Sequence, residues 1–263
     1  MVPENNISPL TKTAIEAAVQ AGNEILDVYY NSGFEIEFKT DNSPLTLADK
    51  RAHKVIAEHL VPTNIPVLSE EGKTISFEER KNWELFWLVD PLDGTKEFIK
   101  RNNEFTVNIA LIEGNSPIAG VVYVPVTKVL YWADQKGSFK AQVGLENNLL
   151  NEIEKLPVSS EKEKFVIVGS KSHMNRETED FISSIDTKGK AIEMVSKGSS
   201  LKLCMVAEGN ADIYPRLGPT MEWDTAAGHA IAKYAGKKVN QFENNEPLIY
   251  NKQNLLNPWF VVV

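Results

Sequence analysis

Across residues 8–30 the apolar positions Ile15, Val19, Gly22, Ile25, Leu26 and Tyr29 recur every three or four residues, which predicts an amphipathic helix. Ser8 stands as its N-cap, Pro9 as its first helical residue and Asn31-Ser32-Gly33 as its stop. The period changes to two over residues 35–39, with Ile36 and Phe38 on one face, and returns to helical spacing over 46–60 through Leu47, Arg51, Val55, Ile56 and His59. Residues 66–69 and 84–89 read as strands, and both finish in carboxylates: Glu70-Glu71 after the first, Asp90-Pro91-Leu92-Asp93-Gly94-Thr95 after the second. Runs 105–113, 117–126 and 129–134, separated by Gly114-Asn115-Ser116 and Pro125-Val126-Thr127-Lys128, predict an antiparallel meander.

Residues 144–164 are polar and read as a boundary region. Beyond it the pattern alternates: strand 165–169, helix 175–185, strand 191–195, helix 199–208, strand 211–214, helix 223–235 and strand 259–263. The expected organisation is an α+β domain over 1–157 and an α/β domain over 158–263, with no internal repeat.

At 263 residues, 42% hydrophobic and 24% charged, the chain has room for a full core. No stretch reaches the roughly 18 apolar residues of a spanning helix. The Met1-Val2-Pro3-Glu4-Asn5-Asn6 start lacks the basic and apolar regions of a signal peptide, so the expectation is a soluble cytoplasmic protein. The net charge of −8 argues against a nucleic-acid duplex as partner. It leaves room for a phosphorylated small molecule held through metal ions and a few local cations. Oligomeric state and peripheral membrane association are not encoded in these patterns. Cys204, the single cysteine, excludes an intramolecular disulfide and reads as a buried thiol.

The turn after residue 89 is the most informative chemistry. Asp90 and Asp93 leave one strand end, Pro91 interrupts the ladder and Gly94 lets the backbone turn, so both acids are aimed at one place. Carboxylates held together repel unless a cation lies between them. With Glu70 and Asp224, the latter in the first turn of a helix, they form an oxygen-donor set suited to two or three Mg²⁺ ions. Taken alone, Asp224 reads first as an N-terminal helix acid, as does Asp49 on the second helix; a role for Asp49 requires it to meet Thr95 in space.

A second, cationic set lies in the latter half: Gly169-Ser170-Lys171-Ser172-His173, Lys197-Gly198-Ser199-Ser200-Leu201-Lys202 and Tyr214-Pro215-Arg216. Gly198 and Ser199 at a helix start would present N–H groups and a hydroxyl to an anion, Lys202 lies a turn further on, and Arg216 adds a fork of donors. His53, His59 and His229 lie on helices without acidic partners at ligand spacing, and Phe86, Trp87 and Trp132 read as core aromatics.

The stretches Leu68-Ser69-Glu70-Glu71, Asp90-Pro91-Leu92-Asp93-Gly94-Thr95 and Glu222-Trp223-Asp224-Thr225-Ala226-Ala227-Gly228 resemble the three signatures of the inositol monophosphatase superfamily. Residues 169–173, 198–202, 207–220 and 255–258 resemble its CysQ-type 3'(2'),5'-bisphosphate nucleotidases, so the likeness spans nearly the whole chain. It implies a layered αβαβα sandwich, α/β and α+β, of the inositol monophosphatase / fructose-1,6-bisphosphatase type. The implied activity is Mg²⁺-dependent, Li⁺-sensitive removal of the 3'-phosphate of adenosine 3',5'-bisphosphate (PAP) to give AMP, in sulfur metabolism, with the sulfated relative PAPS as a further substrate. Carried over by position, Glu70, Asp90 and the Leu92 carbonyl would hold one metal, and Asp90, Asp93 and Asp224 a second. Asp49 and Thr95, with Glu70, would position and deprotonate the attacking water. Asp93, Gly94, Thr95, Ser170, Lys171, His173, Gly198, Ser199, Lys202, Arg216 and Asp224 would face the nucleotide; Lys171 stands where such enzymes often carry Arg.

Other readings fit less well. A haloacid-dehalogenase-type phosphatase uses Asp-x-Asp for covalent catalysis, whereas the spacing here is Asp-x-x-Asp. A Ca²⁺-binding module would need a regular acidic loop closed by Glu at its twelfth position. Inositol monophosphatase or fructose-1,6-bisphosphatase activity would use the same acids with other cations.

Overall fold

The computed structural model describes residues 7–31, 36–38, 44–144, 150–158, 162–169 and 175–263. In chain order the elements begin α1 (Pro9–Asn31), β1 (Ile36–Phe38), β2 (Pro44–Thr46), α2 (Leu47–Leu60), β3 (Val67–Ser69), α3 (Phe77–Arg80), β4 (Leu85–Asp93), α4 (Thr95–Ile99), β5 (Thr106–Glu113), β6 (Ser116–Val124), β7 (Val129–Asp134), β8 (Gly137–Val143) and β9 (Leu150–Lys155). They continue with β10 (Phe165–Gly169), α5 (Arg176–Ser184), β11 (Ile192–Ser196), α6 (Leu201–Glu208), β12 (Tyr214–Arg216), α7 (Glu222–Tyr234), β13 (Val239–Gln241) and β14 (Phe260–Val262).

Strands β3 to β9 form one seven-stranded sheet in sequence order, parallel only between β3 and β4. Successive side chains of a strand point to opposite faces. Trp87, Val89, Ile109, Val121 and Trp132 therefore pack toward α1 and α2, while Phe86, Leu88, Ala110, Val122 and Ala133 pack toward α6 and α7. Gly120 lets α7 approach the sheet: a Cβ there would lie 2.5 Å from the Ala227 carbonyl oxygen. Beyond α6 and α7 lie the parallel pair β10-β11 and the sheet β12-β14-β13, linked by an Ile167–Ile213 bridge. Thr178 and Ile182 of α5 line a small cavity against Ile167 and Pro215 on that outer layer, which completes an αβαβα stack.

Several expectations shift at their edges. The polar run after residue 144 contains β9, whose side chains are half-buried or exposed, so its apolar content is too low to read as a strand. β8 was not expected either, although Phe139, Ala141 and Val143 alternate with Lys140 and Gln142 at strand period and are buried. The strand expected from residue 211 begins at Tyr214, and the helix expected from Ser199 begins at Leu201. The proposed boundary near 157 follows the last strand of the large sheet, yet Leu68, Phe86 and Val122 share one apolar cluster with Val206, Ile231 and Phe260. Ser32, Gly33, Ser170, Lys171 and His173 lie outside the described residues.

Candidate active site

The opening feature of the site is a break in the β4-β5 ladder. Pairing runs in register from Leu85 to Asp90, shifts, and resumes with Asp93 opposite Thr106. Pro91 has no N–H to give the ladder, and the Leu92 amide turns inward to donate to Asp90 Oδ1 at 3.1 Å. Gly94 follows at φ 91°, a conformation that favours glycine. A side chain there would run into the Ser199 hydroxyl. Leu92 is buried, and Thr95 starts α4 directly after this turn.

Asp93 reaches across to the helical layer. Its Oδ2 accepts from Ser200 Oγ at 3.0 Å and from Asn108 Nδ2 at 3.3 Å, and Asn108 also donates to Ser200 Oγ at 2.8 Å. Ser200 Oγ also lies 2.9 Å from the carbonyl of Asp224, so one hydroxyl bridges the strand turn and α7. The Asp224 side chain accepts from the Met221 amide at 2.8 Å, satisfying an N-terminal donor of its own helix. Both readings of Asp224 therefore hold together: it caps α7 and belongs to the acidic group. α7 is in turn anchored by fully buried Glu222, which accepts from the Asn251 and Lys252 amides and from Lys252 Nζ at 2.6 Å.

The acids act on one another. Asp90, at 2% exposure, has its carboxyl raised well above the usual range by burial and then by Glu70, Asp93, Asp224 and Asp49. Burial and Asp93 push Asp224 up to about 8. Asp93 is raised by burial, against the pull of Lys202. Glu70 is tied to the same place by its amide, which donates to the Val89 carbonyl at 3.1 Å. Among the described residues no three His, Cys, Asp or Glu side chains are grouped so as to hold a metal ion as they stand. The donor set nevertheless fits a hard divalent cation: carboxylate oxygens without sulfur or imidazole, crowded until burial and repulsion oppose their ionisation.

A cleft of about 120 Å³ joins these acids to the cations. Asp93, Asp224, Gly198, Ser199, Lys202 and Arg216 all line it. Lys202 is buried at 7% exposure; its Nζ donates to the Ser199 carbonyl at 2.6 Å and the Lys197 carbonyl at 3.3 Å. Burial lowers its pKa to about 8 against the pull of Asp93. Arg216 gives one N–H to the Pro219 carbonyl at 2.8 Å, while its buried Nε has no hydrogen-bond partner.

The expectation of free donors at Gly198 and Ser199 is corrected. The Gly198 amide donates to Glu104 Oε2 at 2.8 Å, and Ser199 Oγ sits between the carbonyls of Asp93 at 2.9 Å and Glu104 at 2.7 Å. Lys197 pairs with the same Glu104 carboxylate at 3.1 Å. Glu104, Asn108 and Ser200 are thus structural members of the site that the motif reading passed over. Their signal is pairing across about a hundred residues of chain, which no local pattern carries. Asp49 is buried on α2, within electrostatic range of Asp90. His229 and Cys204 are buried, as are Phe86, Trp87 and Trp132.

A mixed sheet and a facing helix that deliver buried acids to a cleft opposite Lys and Arg define a layered α/β protein built to hold an anion beside a cation. The sequence pattern of the Inositol monophosphatase family matches residues 6–259, and the chain belongs to that family. It is 44% identical over 250 residues to the 3'(2'),5'-bisphosphate nucleotidase CysQ of Salmonella typhimurium, covering 94% of this chain and 96% of that protein. The protein of the same name from Haemophilus influenzae is 38% identical, covering 94% and 89%. Among solved structures, CysQ from Bacteroides thetaiotaomicron superposes with a TM-score of 0.86 at 50% identity over 96% of both chains. The suhB protein of Bartonella henselae shares the fold at 24% identity, with a TM-score of 0.74 over 97% of this chain and 93% of that one.

Proposed function

We propose that this protein is a metal-dependent phosphomonoesterase, a 3'(2'),5'-bisphosphate nucleotidase that hydrolyses the 3'-phosphate of PAP to AMP and phosphate and accepts PAPS to give APS. The observation that carries the reading is the single cleft in which Asp93 and Asp224 stand opposite Lys202 and Arg216. The high identity to relatives named for this activity supports it.

In this reading Glu70, Asp90 with the Leu92 carbonyl, Asp93 and Asp224 hold Mg²⁺, two or three ions. When bound, Mg²⁺ neutralises phosphoryl oxygens and lowers the pKa of water. The chain's own residues do the rest. Asp49 and Thr95, with Glu70, orient the attacking water and take its proton. Ser200 and Asn108 hold Asp93 in its rotamer, so the acid does not have to reorganise as charge develops. Arg216, which lines the cleft, turns its guanidinium to the remote 5'-phosphate, and Lys202 supplies a positive charge behind it. Ser170, Lys171 and His173 complete the nucleotide side, and the product leaves into a cytoplasmic compartment. Among the described residues no helix is long and apolar enough to cross a membrane.

Phosphate release from PAP, inositol 1-phosphate and fructose 1,6-bisphosphate, measured in parallel with Mg²⁺ and a Li⁺ titration, tests the assignment. PAP should be the preferred substrate and Li⁺ inhibitory; preference for inositol phosphate would overturn the nucleotide reading while leaving the phosphatase.

A further inference from the structure

At the end of α7 remote from the acids lies a second cavity, of about 630 Å³, which shares no lining residue with the reaction cleft. Small-molecule sites span roughly 300–1,000 Å³, so it is large enough for a whole ligand. Lys233, Lys237 and Lys238 line it against one acid, Glu246, in a chain whose net charge is −8. Lys233, in the last helical turn, is already committed: its Nζ donates to Ser116 Oγ at 2.9 Å and to the Pro117 carbonyl at 3.1 Å. The favourable effect of a cation on a helix C-terminus accounts for that residue. It does not account for Lys237 and Lys238, which lie beyond the helix and form no side-chain ion pair or hydrogen bond among the described residues. Nor does it account for the exposed apolar residues Pro247 and Ile249 beside them, which stand over the buried Val239 and Leu248.

We propose that this cavity binds a small organic anion, an apolar or aromatic body carrying a phosphate, sulfonate or carboxylate group. The charged group meets the Lys237 and Lys238 ammonium groups, and the body lies along Pro247 and the exposed side of Ile249. Two cations unpaired among the described residues, beside exposed Pro247 and Ile249, match such a ligand in both chemistry and size. A bare metal ion or a neutral sugar would leave the lysines unanswered.

The test uses 8-anilinonaphthalene-1-sulfonate, an aromatic sulfonate, titrated by fluorescence into the full-length protein at low ionic strength. One saturable site is expected. The Lys237→Ala/Lys238→Ala protein should bind the probe at least about tenfold more weakly, the scale of a charge-assisted contact. Lys237→Arg/Lys238→Arg should retain the affinity, and Lys202→Met, which alters the reaction cleft, should leave it unchanged. Thermal melts of each variant verify that it is folded. Non-saturable binding, binding indifferent to the alanine pair in a folded variant, or binding lost with Lys202→Met instead would overturn the proposal.

Discussion

On one wall of the reaction cleft Asp93 and Asp224 receive, among the described residues, only neutral donors: Ser200, Asn108 and the Met221 amide. On the other, Lys202 donates hydrogen bonds to two backbone carbonyls, neighbouring Lys197 pairs with Glu104 outside the cleft, and Arg216 keeps one buried N–H without a partner. The acidic wall is held in position without being neutralised, so its charge calls for a cation from outside. The cationic wall is largely satisfied from within, which fixes its geometry and leaves Arg216 as its main open hand. Hydrolytic power should therefore be concentrated on the first wall, and discrimination among phosphorylated molecules on the second.

The largest effect should come from the acids. Asp93→Asn or Asp224→Asn should lower phosphate release by about 10²–10³-fold, the scale set by losing one preorganised electrostatic group. The melting temperature should hold or rise, because burial and mutual repulsion oppose ionisation here. Near-normal turnover of a folded variant at saturating Mg²⁺ would break the comparison. Ser200→Ala comes next. It removes the bridge between Asp93 and Asp224 without touching a charge, and should cost about 10–100-fold in kcat with little change in KM. A change confined to KM would move Ser200 to the substrate wall.

Arg216→Ala should raise KM for PAP by about tenfold, as expected for losing a charge-assisted bond. Turnover of a phosphomonoester with no second phosphate should stay put. Equal losses on both substrates would make Arg216 a fold residue and remove the division of labour. The last effect falls on stability and leaves catalysis alone; it concerns burial acting without partner charges of opposite sign. His229, hydrogen-bonded to Tyr250 at 3.0 Å, has its pKa lowered to about 3 by burial and by Lys233. Between the unfolded value of about 6.5 and that figure the unfolded chain binds more protons. Stability should thus fall with falling pH, by up to about 1.4 kcal/mol per pH unit from this group. His229→Gln should flatten the urea-unfolding profile in that window, and an unchanged slope would mean that the imidazole is not held neutral.

Legibility followed locality. Glu70, Asp90, Asp93 and Asp224 stood out because strand, proline, glycine and helix-start signals are properties of a few adjacent residues. β9 did not, because its positions alternate into solvent on both faces and its composition is that of a linker. Asn108 and Glu104, and the role of Ser200, were invisible for a different reason. Each is an ordinary polar residue until folding brings it beside a partner such as the Asp93 carboxylate, 107 residues from Ser200. The free-donor reading of Gly198 and Ser199 failed on the same ground, since Glu104 had claimed the Gly198 amide and shared the Ser199 hydroxyl with Asp93.

The sequence by itself determined the order of most helices and strands and the acids at the strand and helix ends, because periodicity and turn chemistry act over a few residues and survive in one dimension; the layered class and the family came from the resemblance of three short motifs to the inositol monophosphatase superfamily. Only the tertiary structure decided which donors are already spent, which acid leans on which, and that Arg216 keeps a free Nε. Those are questions of satisfaction and repulsion between groups far apart in the chain, and hydrogen-bond capacity is settled only once every neighbour is in place.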